Sequence, residues 1–175
     1  TGLQINSANI VNGSITADDL ASGVGGKFAS YAIICDQKTQ DTPAGAFTSG
    51  DWRTRDLNTE LIDADGIVSI SSNQFTLQAG TYLINAIGPA YLVYQHMIKL
   101  YQTSGTPADI AFGTSAYGDM SVMTFSFLNA RVTLSGATTY EIRHKCSNTK
   151  TNNGFGVQTN MAAEIYAVVK IFKES

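Results

Sequence analysis

Apolar and polar side chains alternate along most of the chain after residue 28. In one run, Tyr140 and Ile142 alternate with Glu141 and Arg143. A period of two places one set of side chains on each face of a β-strand. Clusters of glycine, serine, threonine and aspartate separate the runs, as expected for turns. Helical periodicity is absent from this part of the chain.

The runs predict short strands at regular spacing. They cover residues 31–36, 53–62, 67–71, 74–77, 81–87, 95–102, 120–134, 139–146, 156–159 and 163–173. Many short strands in hairpin-like spacing are typical of a two-sheet antiparallel sandwich. We therefore expect residues 28–175 to form one all-β domain.

The first and last predicted strands are apolar on both faces. Tyr31 and Ile33 share one face of the first strand, and Tyr166, Val168 and Phe172 share one face of the last, with aliphatic residues opposite. One apolar face packs on the partner sheet, and the other also needs cover. Because no helix is expected here, a second copy of the chain must supply that cover. These five residues are predicted at the interface of an obligate oligomer.

Residues 1–27 differ from the rest of the chain. Apolar residues are sparse and regularly spaced, and Thr16 followed by acidic residues suggests the start of a short helix. Glycines at 23, 25 and 26 suggest a hinge. The segment has too few apolar residues to form its own core, so we expect a neck that wraps around copies of itself.

Composition narrows the function classes. Charged residues make up 14% of the 175 residues and the net charge is −3, which argues against nucleic-acid binding. No apolar run is long enough to span a membrane, so no membrane insertion is expected. Cys35 and Cys146 are too few for a disulfide framework and are predicted to be free thiols.

Two stretches resemble a known fold family. Residues 75–86 read Phe-Thr-Leu-Gln-Ala-Gly-Thr-Tyr-Leu-Ile-Asn-Ala, and residues 134–142 read Leu-Ser-Gly-Ala-Thr-Thr-Tyr-Glu-Ile. Both resemble segments of the complement C1q and tumour-necrosis-factor-like jelly rolls, as does the apolar C-terminal strand. The resemblance covers residues 28–175 and implies an antiparallel two-sheet jelly-roll sandwich that forms a homotrimer.

A second resemblance concerns biological context. Residues 52–59 read Trp-Arg-Thr-Arg-Asp-Leu-Asn-Thr, and residues 11–20 contain Asn-Gly-Ser-Ile-Thr. These segments resemble the C-terminal heads of bacteriophage tail fibres and the necks that precede them. The resemblance implies a virion protein at the fibre tip, with fibre shaft and tail proteins as partners.

The sequence predicts no enzyme, metal site or cofactor. His144 and Cys146 share a strand face and His96 could approach them, but no spacing typical of metal ligands is present. No Gly-x-Ser-x-Gly nucleophile elbow and no phosphate loop occur. The acidic residues lie in turns, where solvated carboxylates are expected.

Three loops are candidate receptor-binding surface: 103–109, 113–120 and 147–155. Amides and hydroxyls can pair with sugar hydroxyls, and aromatic faces can stack on sugar C–H groups. The candidate contact residues are Tyr117, Asp119, Asn148, Lys150, Asn152, Asn153 and Phe155.

The expected function is multivalent attachment of a phage tail fibre to a bacterial surface glycan or protein. One alternative is a structural module that trimerises and caps the fibre. Another is a secreted, extracellular bacterial protein resembling complement C1q.

Overall fold

The computed structural model describes residues 10–11, 14–15, 27–119 and 121–174, and these residues form strands and connections without a helix. It follows that no helix able to cross a membrane occurs among them. The strands are β1 (Phe28–Lys38), β2 (Arg53–Thr54), β3 (Thr59–Ile62), β4 (Val68–Ser71), β5 (Gln74–Leu77), β6 (Gly80–Tyr91), β7 (Tyr94–Gln102), β8 (Ala108–Phe112), β9 (Ala116–Gly118), β10 (Met123–Leu134), β11 (Thr138–Cys146) and β12 (Glu164–Glu174).

The strands form two antiparallel sheets. The first sheet has the order β10-β6-β12-β1-β3. The second has the order β4-β5-β11-β7-β8, with β2 also paired to β11 and β9 also paired to β7. The all-β, two-sheet prediction is confirmed. The first and last long strands, β1 and β12, pair in the interior of the first sheet.

Alternation along the strands explains which face each residue takes. In β6, Tyr82, Ile84 and Ala86 are buried, whereas the residues between them are partly exposed. The paired strand β10 follows the same rule, with Leu128 and Ala130 buried. Side chains of opposite parity lie on the outer surface of the first sheet. The period of two in the sequence therefore sets the sandwich interior directly.

The core lies between the two sheets. Ile34 and Ile84 from the first sheet, together with Ile98, Leu100 and Ile142 from the second, belong to one buried apolar cluster and are fully inaccessible. Such a cluster provides the main apolar burial that stabilises the fold.

A two-residue turn connects β4 and β5. Ser72 and Asn73 both have positive φ, 53° and 65°, as a type I′ hairpin turn requires. The Asn73 side chain also accepts a hydrogen bond from the backbone of Leu57 and donates one to Asp56. The turn is thus tied to the segment between β2 and β3.

Several predicted strand boundaries are wrong. The stretch 53–62 forms two short strands on different sheets, because β2 pairs with β11 and β3 pairs with β1. Residues 156–159 form no strand. The stretches 103–109 and 113–120, predicted as loops, contain the start of β8 and all of β9. Their glycines and polar residues obscured edge strands that pair on one side only.

Most of the predicted neck, including the helix expected from Thr16 and the glycine hinge, lies outside the described residues. Cys35 and Cys146 are both buried and are not joined in a disulfide. Burial raises the pKa of the Cys146 thiol to about 11, so this thiol is protonated and unreactive near neutral pH.

Candidate functional site

An open groove crosses the outer surface of the second sheet. Gln95 and Met97 of β7, with Lys145 of β11 and neighbouring Ser147, form its floor. Trp52, which precedes β2, lines one side, and residues 115–116 line the other. We call this feature the outer groove. Its volume is about 600 Å³, within the range of small-ligand sites.

The floor of the outer groove is held by a polar link between strands. The backbone N–H of Ser147 donates to the carbonyl of Gln95 at 2.9 Å. In return, the backbone N–H of Gln95 donates to Ser147 Oγ at 3.1 Å. The Ser147 hydroxyl donates to Gln95 Oε1, which orients the amide so that Nε2 is the free donor.

Trp52 is held by contacts on the same sheet face. The Lys99 ammonium lies 4.3 Å from the Trp52 ring centroid, and the Phe112 ring lies 6.0 Å away. The backbone N–H of Trp52 donates to the Asp51 carboxylate at 2.7 Å. A cation–π contact and an aromatic contact together restrict the indole orientation.

Some cationic side chains on this face of the second sheet form ion pairs with carboxylates and others do not. Lys99 pairs with Asp109, and Arg143 pairs with Glu141 at 2.7 Å. Lys145, which lines the outer groove, forms no ion pair with any residue in the described ranges. The groove therefore carries an uncompensated positive charge.

Tyr117 and Asp119 lie beside the outer groove. Tyr117 pairs across the sheet with Gln95, so the two side chains share a face. The Tyr117 ring is 53% exposed and stacks on Tyr94, with centroids 5.8 Å apart and planes 7° apart. Asp119 is half-buried and acts through charge and a hydrogen bond to raise the Tyr117 pKa, after a larger contribution from desolvation.

The loop 147–155 is anchored to the body of the fold. The backbone of Asn148 donates to Val93, and Lys150 forms a β-bridge with Phe47. Asn152 is exposed with φ of 71°, whereas Asn153 is half-buried. Of the predicted contact residues in this loop, Asn148 and Asn152 are therefore the most exposed.

Phe155 faces inward. Its ring stacks on Phe47 at 4.2 Å, and the Arg55 guanidinium lies 4.3 Å from its centroid. The ring packs against the buried cluster that contains Phe47 and Val93, so the structure does not offer it for stacking on a ligand. Sequence reasoning placed Phe155 on the surface because it closes a polar loop, but Arg55 and Phe47 draw it inside.

Arg55 is a fully buried cation. Its Nη1 donates to the carbonyls of Pro89 and Phe155, at 3.2 and 3.0 Å, whereas Nε and Nη2 lack partners among the described residues. Burial lowers the Arg55 pKa to about 10, against the opposing influence of Asp36. The guanidinium thus joins the loop 147–155 to β6.

Two buried histidines contact each other near this cation. His96 Nδ1 lies 2.9 Å from His144 Nε2, and His96 Nε2 lies 2.8 Å from Thr124 Oγ1. Burial, followed by the charge of Arg55, lowers the His96 pKa to about 4 and that of His144 well below its ordinary value. Both rings are therefore neutral at pH 7.

The expected proximity of His96 to His144 is confirmed, but it forms no metal site. In the part of the chain that the structure describes, no group of three or more histidine, cysteine, aspartate or glutamate residues is arranged to hold a metal ion.

The outer surface of the first sheet carries four of the five residues predicted for subunit contact. Tyr31 pairs with Phe172 across β1 and β12, and their rings contact at 6.4 Å. Ile33 and Val168 lie on the same surface and are partly exposed. Tyr166 differs: its ring is buried within the chain and its hydroxyl donates to the Thr42 carbonyl at 2.8 Å. Residues 42–44 cover the N-terminal end of β12, where Tyr166 lies. Strand alternation alone does not reveal this cover.

Sequence reasoning missed the outer groove residues Trp52, Gln95, Met97 and Lys145. The single tryptophan of the chain was a usable signal, because aromatic side chains often line ligand pockets. The sequence does not show that β7 pairs with β11, since this pairing depends on register between strands that are far apart along the chain.

No family model and no curated protein sequence matches this chain. Solved structures do resemble it. The globular domain of zebrafish complement 1qA protein matches with TM-score 0.50 and 19% identity, covering 84% of this chain and 96% of that one. The tumour necrosis factor Eiger from S. frugiperda matches with TM-score 0.55 and 11% identity, covering 85% and 94%. Murine APRIL at pH 8.5 matches with TM-score 0.54 and 8% identity, covering 82% and 99%. The fold is thus the C1q and tumour-necrosis-factor-like jelly roll.

Proposed function

We propose that this chain is the receptor-binding head of a phage tail fibre. It acts as a homotrimer that attaches to a glycan or protein on a bacterial surface, without catalysing a reaction. The observation that carries the proposal is an apolar surface on a sheet whose other face already packs in the core.

The outer surface of the first sheet is unusually apolar for an exposed sheet. Tyr31 is 50% exposed and Phe127 is 48% exposed, although both belong to regular strands. The apolar residues of this surface are Tyr31, Ile33, Leu83, Ile87, Phe125, Phe127, Val168 and Phe172. Contiguous aromatic and aliphatic exposure of this kind marks a protein interface.

A second apolar area lies at one edge of the sandwich. β10 and β8 are the terminal strands of their sheets and lie side by side. Ile110 and Phe125 are exposed along this edge. When a face of one copy meets an edge of the next, the contact is heterologous, and it closes into a ring if the rotation between copies closes. A ring of three is what the fold resemblance implies.

A polar row interrupts the apolar surface. Asn85, Asn129 and Lys170 lie opposite one another on β6, β10 and β12, and Asn85 Nδ2 donates to Asn129 Oδ1 at 2.6 Å. The row borders a depression of about 390 Å³. In the proposed trimer a side chain of the neighbouring copy enters this depression, and the polar row fixes how the copies align.

Attachment in this proposal depends on several copies of binding sites that each have modest affinity. Each copy presents Tyr117, the exposed amides of the loop 147–155 and the outer groove away from the first sheet. Three copies on one rigid head raise the effective affinity for a repetitive surface by a factor of about 10²–10⁴. Residues 1–27 join the head to the fibre shaft in this proposal.

The test compares two aspartate substitutions. Phe127→Asp places a charge in the proposed interface, and Ser69→Asp places the same charge on an exposed position of the second sheet. Light scattering should show a trimer for the original chain and for Ser69→Asp, but a folded monomer for Phe127→Asp. Binding of the labelled protein to bacterial envelopes should fall at least about 100-fold for the monomer.

The alternatives give different results. A trimer that binds no bacterial surface would contradict the attachment role and favour a trimerisation and capping module. A Phe127→Asp variant that remains trimeric would contradict the proposed interface.

A further inference from the structure

We propose that the outer groove is a binding site for an acidic sugar of the bacterial surface. This inference rests on the proposed attachment function and names the ligand class and the residues that recognise it. The ligand is a saccharide unit with a carboxylate, held between Trp52 and Lys145.

The groove has the composition of a sugar site. Trp52 and Met97 supply apolar contact area, and the amide of Gln95 and the hydroxyl of Ser147 supply polar contacts. Sugar rings present an apolar C–H face and a rim of hydroxyls, so they need both kinds of surface. Tyr117, on the same face as Gln95, extends the aromatic surface past one end of the groove.

The polar groups are held in position before a ligand binds. Because Gln95 Oε1 accepts from Ser147, the Nε2 group of this groove-lining residue remains available as a donor. Lys99 and Phe112 contact the Trp52 ring and restrict its orientation. Ligand binding therefore orders few additional side chains, which limits its entropic cost.

Charge selects the ligand class. Lys145 is the only charged residue that lines the groove within the described ranges, and no described carboxylate pairs with it. The nearby cations Lys99 and Arg143 are neutralised by Asp109 and Glu141. The carboxylate of Asp51 accepts from the Trp52 backbone. Asp51 and Asp119 are carboxylates adjacent to the groove. Among the described residues that line the groove itself, the only charge is the Lys145 ammonium, which favours an anion.

The location of the groove agrees with attachment by a trimer. It lies on the second sheet, whereas the proposed subunit contacts lie on the outer surface of the first sheet and at the β8–β10 edge. Residues 115–116 of the groove and the Trp52 contact Phe112 border this edge. The proposal therefore requires that the neighbouring copy covers the edge without covering the groove.

The first experiment uses the only tryptophan in the chain as a reporter. Intact trimer is titrated with a set of acidic bacterial oligosaccharides and with the carboxyl-reduced, neutral form of each. At least one acidic oligosaccharide should change Trp52 fluorescence with saturation, and its reduced form should bind at least tenfold more weakly. Equal binding of both forms would overturn the acidic-sugar inference.

The second experiment separates the groove from the loop 147–155. Lys145→Gln should weaken binding to the immobilised acidic saccharide at least tenfold, whereas Lys145→Arg should restore most of it. Trp52→Ala should also weaken binding while the trimer mass stays unchanged. If Lys150→Gln removes binding and Lys145→Gln does not, the ligand binds at the loop and the groove assignment is wrong.

Failure of the two proposals is distinguishable. Saccharide binding that survives Lys145→Gln and Trp52→Ala overturns the groove assignment alone. Absence of binding to any bacterial envelope by an intact trimer overturns the attachment function, and the groove assignment with it.

Discussion

Mild acid should destabilise this protein through its two histidines, which are the only ones in the chain. His96 and His144 are buried in contact with each other, and the charge of Arg55 acts on both. Protonating either ring in the folded state places a further buried cation near Arg55. In the unfolded chain both rings take up protons near pH 6.5.

The sign and size follow from the lowered pKa values. A histidine whose folded pKa lies below its unfolded pKa contributes stability that is complete above pH 6.5 and is lost as the pH falls toward the folded value. For His96, with a folded pKa of about 4, the free energy of unfolding should fall by about 2 kcal/mol between pH 7.5 and 5.0. Burial, followed by the charge of Arg55, lowers the His144 pKa as well, so His144 adds to the loss in the same direction.

The assay is equilibrium unfolding in urea, followed by Trp52 fluorescence at fixed protein concentration between pH 7.5 and 5.0. This window lies above the range in which unfolded carboxyl groups titrate. A double variant, His96→Gln with His144→Phe, removes both titrating groups and should flatten the dependence on pH. A free energy of unfolding that stays constant for the original chain in this window would refute the reasoning.

Three further predictions concern packing and assembly. Val168→Asp and Phe172→Asp, on the outer surface of the first sheet, should each prevent trimer formation, as measured by light scattering. Soluble trimers from both variants would refute the assignment of that surface. Leu100→Ala should lower the free energy of unfolding by about 2–5 kcal/mol, because Leu100 is completely buried between the sheets; a loss below about 1 kcal/mol in urea unfolding would show that the site collapses or is less well packed. Gly156→Ala should loosen the loop 147–155, because a Cβ at this position would lie 2.4 Å from the Tyr166 ring. Faster proteolysis within the loop would report the change. The control is Gly136→Ala, where a Cβ meets no atom within 4 Å.

The local pattern of apolar and polar residues was sufficient to predict the two layers of the fold. It was insufficient to predict the edge strands. The alternation around Tyr140 and Ile142 identified a strand with one buried face, and the structure places both residues in the core. The doubly apolar strands also predicted that Val168 and Phe172 would lie on an outer surface. β8 and β9 were missed because edge strands pair on one side only, so polar and glycine residues interrupt them without a large cost.

The interior polar cluster and the outer groove depend on distant parts of the chain. Arg55 has polar neighbours in the sequence, yet it is buried, and its guanidinium donates to the carbonyls of Pro89 and Phe155. Trp52 and Lys145 are far apart in sequence, and only the pairing of β2 with β11 brings them to one groove. Sequence pattern carries no information on which strands become neighbours at this separation.

Sedimentation velocity at micromolar concentration tests the central claim most directly. A chain whose exposed aromatic surface is covered by its own copies should sediment as one species of about three times the 18.7 kDa chain mass, and it should stay so on dilution. A stable, compact 18.7 kDa particle would contradict the assembly on which the attachment function depends.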